Sequence, residues 1–218
     1  MINMVDELIL YDDCQYTKRD WRNRNKIKTQ NGSQWLTIPV EVKGKYQQKI
    51  KDTVISDPEW SKKHWSAIKY NYSKAAFFKD FKDFKDQFEE LYLGCTEKYL
   101  SDINYRFITA INQILGISTK ISWSMDYDMS VKGNTEKLIH LYKQAGADTY
   151  LSGPTAKGYM DVKLFEDEGI TVEWMDYNRY PEYSQLYSPF EQKVSIIDLI
   201  FNAGKNAKNY MKSFSNKK

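Results

Sequence analysis

Between Tyr11 and Ile27 the chain reads YDDCQYTKRDWRNRNKI, its densest run of side chains able to do chemistry. Lys18, Arg22 and Arg24 offer cationic donors that suit a phosphate or a carboxylate. Asn23 and Asn25 add further donors for the same kind of group, Gln15 lies in the same polar run, and Tyr16 and Trp21 give stacking faces, as aromatics do in sugar and base pockets. Asp13, beside Asp12, is a candidate general base or cation ligand. A charged connecting helix in water would explain the same composition, but the alternation of Arg with Asn around two aromatics favours the wall of a polar pocket. A second segment, YLSGPTAKGY (150–159), sends a strand through Ser152-Gly153-Pro154 towards a helix and Tyr159. That geometry can turn backbone N–H groups to an anion, although a tight turn needs the same Gly and Pro. The spacing is not that of a P-loop. His64 is the natural proton carrier near neutral pH, and a buried structural histidine is the equal alternative. His140 reads as a surface residue, and Cys14 lacks an evident histidine partner.

These residues need elements to hold them. Leu8 to Tyr11 is a short apolar run ending in acids, expected to be a strand. Trp35 to Val42 is a second strand, preceded by the turn Asn31-Gly32. Asp57-Pro58 starts a helix, on which Trp60, His64, Ile68 and Tyr72 recur every fourth residue. A second helix follows through Phe77, Phe81, Phe84, Phe88 and Leu91. A third runs from Leu100 to Ile114 and is stopped by Gly116. Beyond it, strands at 117–123, 148–151 and 170–175 alternate with helices, one of them capped by Asn134, and Ser195 caps the last helix. Alternation of this kind implies an α/β fold. The expectation is an open, mostly parallel sheet with flanking helices and a three-helix insertion or lid at about 57–116. Residues 1–212 are read as one domain and 213–218 as a frayed polar tail.

Composition narrows the function classes. With 28% charged and 41% hydrophobic residues the chain is globular, and its net charge of +3 does not call for a nucleic-acid partner. Aromatics reach 15%. The two cysteines show no metal-ligand spacing, so no metal site is expected. They suit a reducing compartment. The acidic start lacks the apolar core of a signal peptide, and no apolar run approaches the ~20 residues that span a bilayer. The expectation is a cytoplasmic protein that does not enter the membrane.

The stretch YDDCQYTKRDWRNRNKIKTQNGSQWLTIPV (11–40) closely resembles the WbqC-like proteins of bacteria. So do EWSKKHWSAIKYNYSKAAFF (59–78), TYLSGPTAKGYMD (149–161) and SIIDLIFNAG (195–204). The resemblance implies work on activated sugars in O-antigen or other surface-polysaccharide synthesis. Transfer of an acyl or aminoacyl group to an amino sugar would fit it. Residues matching the motifs are Asp13, Gln15, Tyr16, Lys18, Trp21, Asn23, Arg24 and Asn25, then His64, Asn71 and Tyr72, then Ser152, Gly153 and Tyr159, and finally Asp198. Two departures stand out. The strand and His-Gln-Pro-type turn with which such proteins usually open are missing from this reading of the chain, which implies a late start, a truncated chain or a degenerate member, and Ala156 stands where the family tends to have Gly.

The leading expectation is a transferase-type enzyme whose substrate is a nucleotide-sugar or related phosphorylated ligand. The phosphates would meet Lys18, Arg22 and Arg24, a ring would stack on Tyr16 or Trp21, and His64 or Asp13 would move a proton. No cofactor is specified, and homo-oligomerisation is left open. The alternative is a non-catalytic ligand-binding or scaffold subunit of polysaccharide assembly. Binding of RNA by the basic-aromatic run is disfavoured by the interspersed Asp12, Asp13 and Asp20.

Overall fold

A computed structural model describes residues 1–78 and 82–215, with backbone alone at 82 and 83. Phe81 of the expected aromatic stripe and the end of the expected tail, 216–218, lie outside the described residues. The fold is α/β, with short parallel sheets flanked by helices. Its contacts group into two compact units. One comprises Met1–Asp13 and Ser118–Arg179, the other Cys14–Ile117 and Tyr180–Lys218.

The first unit holds two parallel ladders. Strand β1 (Glu7–Leu10) pairs with β4 (Lys120–Trp123), Leu8 opposite Ile121. Strand β5 (Thr149–Ser152) pairs with β6 (Thr171–Trp174), Tyr150 opposite Val172. Helices α4 (Asn134–Gln144) and α5 (Val162–Asp167) accompany them. Gly133, at φ 94°, takes the cap position of α4, and Asn134 is its first helical residue. The core here is small: Ile139, Phe165 and Ile170 are buried, with Leu138, Tyr142, Tyr150, Met160 and Val172 packed around them.

The second unit carries an antiparallel hairpin, β2 (Arg24–Thr29) and β3 (Gly32–Thr37), closed by Gln30 and Asn31. Gly32 has φ 108°, a conformation open to glycine without strain. The sequence suggests strand from Trp35 to Val42. The ladder instead ends at Thr37, short of Pro39, which has no N–H to give it. Strand β2 falls where a connecting segment was expected.

Helices α1 (Trp60–Tyr72) and α6 (Ile196–Ala203) pack against the hairpin, and α2 (Lys82–Leu93) packs on α1 and on α3 (Leu100–Leu115). The chain ends, within the described residues, in α7 (Lys212–Ser215). The three expected helices thus share one apolar core with the hairpin and α6. The fourfold rhythm of α1 buries Trp60, His64, Ile68 and Tyr72 as one stripe. Phe88 and Leu91 of α2 and Ile103 of α3 meet it. Each large apolar side chain buried this way contributes roughly 1.5–3 kcal/mol. Helix α3 stops at Gly116 in the left-handed conformation (φ 59°), as expected. Ser195 caps α6, its hydroxyl accepting from the Ile197 amide. The Ser195 amide donates to the Lys26 carbonyl at 2.7 Å, tying the start of α6 to β2.

Among the described residues no helix is long and apolar enough to cross a membrane.

Candidate functional site

The basic-aromatic run is not one helix. Residues 11–20 are turns and extended chain, Trp21–Asn23 form one 3-10 turn, and Arg24 opens β2. Asp20 fixes the start of that turn. Its carboxylate accepts from the Trp21 amide at 2.6 Å and from the Thr17 hydroxyl at 2.9 Å, and it pairs with Arg22. Burial alone would raise the Asp20 carboxyl. The hydrogen bonds from Thr17 and Trp21 and the Arg22 charge outweigh burial and hold it below its ordinary value. Arg19 sits at φ 61°, unusual for a residue with a side chain, and its carbonyl accepts from the Arg24 guanidinium. From α3, Asn104 donates to the Arg22 carbonyl at 3.0 Å.

Strand pairing then explains what the cations do. Arg24 and Lys26 lie two apart on β2, so they share a face, and Trp35 is the register partner of Lys26 on β3. The Arg24 guanidinium lies 4.2 Å and the Lys26 ammonium 5.1 Å from the Trp35 ring centre. Trp21 packs against Trp35 from another side, with ring centres 4.9 Å apart.

Beneath this cover lies a cavity of about 180 Å³. Trp21, Arg22, Asn23, Arg24 and Asn25 line it, and so does His64. Most of the remaining wall is apolar and comes from β3, α1, α3 and α6, including Leu36, Trp60, Phe107, Ile111 and Ile197. Two buried polar atoms around it have no hydrogen-bond partner among the described residues: Oδ1 of Asn23 and Nε of Arg24. Asn23 is itself 6% exposed, and its Nδ2 donates to the Ile38 carbonyl at 2.9 Å. A buried acceptor and donor left open in a lined cavity are what a ligand's polar end would satisfy.

His64 Nε2 lies 3.0 Å from the Thr37 carbonyl. A carbonyl only accepts, so Nε2 carries the proton and Nδ1 is the acceptor nitrogen of the neutral ring. Burial lowers the His64 pKa, with the Thr37 bond opposing, so the ring is neutral at pH 7.

Other expected site residues fall elsewhere. Gln15 is exposed and donates to the Tyr46 carbonyl at 2.8 Å. Tyr16 is buried with Ile50 and Leu100 in a small cluster of its own, and Lys18 is exposed. Asn71 is buried, its Nδ2 donating to the Ala67 carbonyl at 2.8 Å. The Tyr72 hydroxyl donates to Asp198 at 2.8 Å and accepts from the Lys28 amide at 2.9 Å. Asp198, fully buried, also accepts from Tyr183 at 2.8 Å and Gln185 at 2.9 Å. Burial first, and Asp198 second, push the Tyr72 hydroxyl far above its ordinary range, so it remains a donor. In the first unit, Asp13 is half-buried in a turn and Tyr159 is exposed. Ser152 and Gly153 line a cavity of about 720 Å³, together with residues of β1 and β5. Ala156, the departure from the glycine of the family, is buried in the 3-10 turn that follows. Among the described residues, no three His, Cys, Asp or Glu side chains gather closely enough to hold a metal ion. The Cys95 thiol, raised to about 12 by burial and by Glu97, is no thiolate at neutral pH.

Sequence reasoning did not reach Trp35, Asn104 or Ser195 as site residues. Trp35 carries the one available signal, a second tryptophan on the strand that follows the basic run.

The arrangement defines an α/β protein with a small lined cavity capped by a cationic, aromatic hairpin. Comparison with known proteins makes the assignment more particular. Residues 1–210 match the model of the WbqC-like protein family, and the chain belongs to that family. It is 48% identical over 212 residues to a protein of Mycobacterium tuberculosis named "Uncharacterized protein Rv1507c", covering 97% of this chain and 90% of that one. No solved structure matches the chain.

Proposed function

We propose that this protein binds a phosphorylated small molecule of the nucleotide-sugar class at the hairpin cavity and transfers an acyl or aminoacyl group to an amino sugar in surface-polysaccharide synthesis. The observation that carries the reading is the convergence of Arg22, Arg24, Asn23 and a neutral His64 on one cavity. The arginines suit phosphate, the Trp21–Trp35 pair suits a ring, and Nδ1 of His64 can take a proton from an attacking amine. The polysaccharide setting rests on the family resemblance alone. Lys18 and Gln15 are proposed as further ligand contacts on the same footing.

Charge-assisted hydrogen bonds of this kind contribute about 1.5–3 kcal/mol. Replacing Arg24 with alanine should therefore weaken binding of UDP-N-acetylglucosamine about 10- to 100-fold in calorimetry. Thermal stability should change little. Unchanged affinity together with lost folding would instead make Arg24 a structural clamp on Trp35. A non-catalytic binding subunit is the second reading. It is favoured by the commitment of His64 Nε2 to a backbone carbonyl, which leaves one ring nitrogen for chemistry. Saturable binding with no product on addition of acyl donors and amino sugars would select it.

A further inference from the structure

We infer that the cavity beneath the hairpin takes a small apolar group, a short branched acyl chain or an aromatic ring, while the anionic end of the same ligand stays at Arg22 and Arg24. The inference rests on the reading above that this cavity is the ligand site, and it names the part of the ligand that enters.

Size and lining carry it. A dry apolar cavity of roughly 150 Å³ holds one benzene. The cavity here, about 180 Å³, has room for little more than that. Its walls include Leu36, Trp60, Ile103, Phe107, Ile111 and Ile197. A hexose ring is larger and brings several hydroxyls, each of which loses its water on entry. Several polar groups of the wall are already engaged. Nε2 of His64 is engaged by Thr37, Asn104 donates to the Arg22 carbonyl, and Nδ2 of Asn23 donates to Ile38. Each hydroxyl buried without a partner costs roughly 1–3 kcal/mol, whereas each methylene buried there contributes about 0.8 kcal/mol. The apolar group wins on both counts. The open polar atoms, Oδ1 of Asn23 and Nε of Arg24, belong to the polar run at the hairpin side of the cavity. An anionic end accepts from Nε of Arg24, whereas Oδ1 of Asn23 is an acceptor and needs an N–H or O–H of the ligand, so a ligand with an apolar body and a polar end that carries both kinds of group suits the cavity best.

The test is a series of straight carboxylates from acetate to decanoate, with 3-methylbutanoate and benzoate, titrated by calorimetry into the full chain. UDP-N-acetylglucosamine is titrated in parallel. Affinity should rise about fourfold per added methylene and level off at about six carbons, where the cavity is full. Ile111→Trp should abolish the chain-length dependence. Leu36→Trp, on a different wall, repeats the test should the first variant fail to fold, with circular dichroism and melting as the check. A flat carboxylate series, with UDP-N-acetylglucosamine bound and its affinity lost in Arg24→Ala, overturns the apolar-group inference and leaves the proposed function standing. Carboxylates bound with the expected chain-length profile, without any binding of UDP-N-acetylglucosamine, support the inference and move the ligand class away from nucleotide-sugars. Absence of binding in both series overturns both readings.

Discussion

His64 is a buried ring whose protonation is linked to the stability of the fold. Its ring is packed edge-on to Trp60, with centres 5.1 Å apart, and its Nε2–H is committed to Thr37. Burial makes the charged imidazolium unfavourable in the folded protein, so the folded pKa lies below the ordinary 6.5. The unfolded chain therefore takes up the proton first as pH falls. The His64 contribution to stability is complete above pH 6.5 and is lost progressively between that value and the folded pKa. Replacing His64 with glutamine, which keeps a donor for Thr37 but cannot charge, should remove this part of the pH dependence. Urea midpoints of the two proteins at pH 7.5 and 5.5 measure it: the native protein should lose more on acidification than the variant. An equal loss in both would place the titration outside His64.

At the scale of elements, a buried polar knot holds the hairpin to the helices. Asp198 on α6 receives Tyr72 from α1 as well as Tyr183 and Gln185 from the loop that precedes α6. Tyr72 in turn accepts the Lys28 amide of β2. Asn202, one turn along α6, donates to the Asp198 carbonyl at 2.8 Å. Asp198 and Tyr72 matched family motifs and were expected to touch substrate, yet they bond to one another and to Lys28, Tyr183 and Gln185 inside the core. Tyr72→Phe leaves a buried carboxyl short of one donor and the Lys28 amide short of its acceptor, at a cost of about 1–3 kcal/mol each. The expected result is a clear fall in the denaturation midpoint with UDP-N-acetylglucosamine affinity retained. Lost affinity at unchanged stability would return Tyr72 to the binding machinery. This knot was not legible in the sequence, because its members lie as far as 126 positions apart. The helices were legible because their apolar spacing is local: the stripe of α1 and the Gly116 stop stand where periodicity puts them. Strand β2 was hidden for the opposite reason. RNKIKT has a single apolar residue, Ile27, and so no alternating signal. Its other partners come from elsewhere in the fold: Trp35 covers Arg24 and Lys26, and buried Lys28 donates to the Pro189 carbonyl at 2.6 Å.

At the scale of the whole molecule, the two units differ in what holds each together. The second has a large aromatic core in which Trp65, Tyr72, Phe88, Ile103 and Phe201 are buried, and the hairpin packs onto it. The first relies on two parallel pairs of four residues, each paired on one edge only among the described strands. Parallel pairing is slightly weaker per residue than antiparallel, and parallel sheets are normally buried on both faces. Here Ser122 and Ser152 are the only fully buried residues of the four strands. Two-stranded sheets are marginal unless other elements cover them, and the apolar cluster that covers β5 and β6 is small, built around Ile139, Phe165 and Ile170. The first unit should therefore open locally at lower free energy than the second. Hydrogen exchange read by mass spectrometry should show amides of β1, β4, β5 and β6 exchanging well before those of α1, α3 and α6. In mild urea the first set should reach full exchange while the second stays protected. Uniform protection across all seven elements would mean that the two units unfold as one, and that the short ladders are supported by far more than their own core.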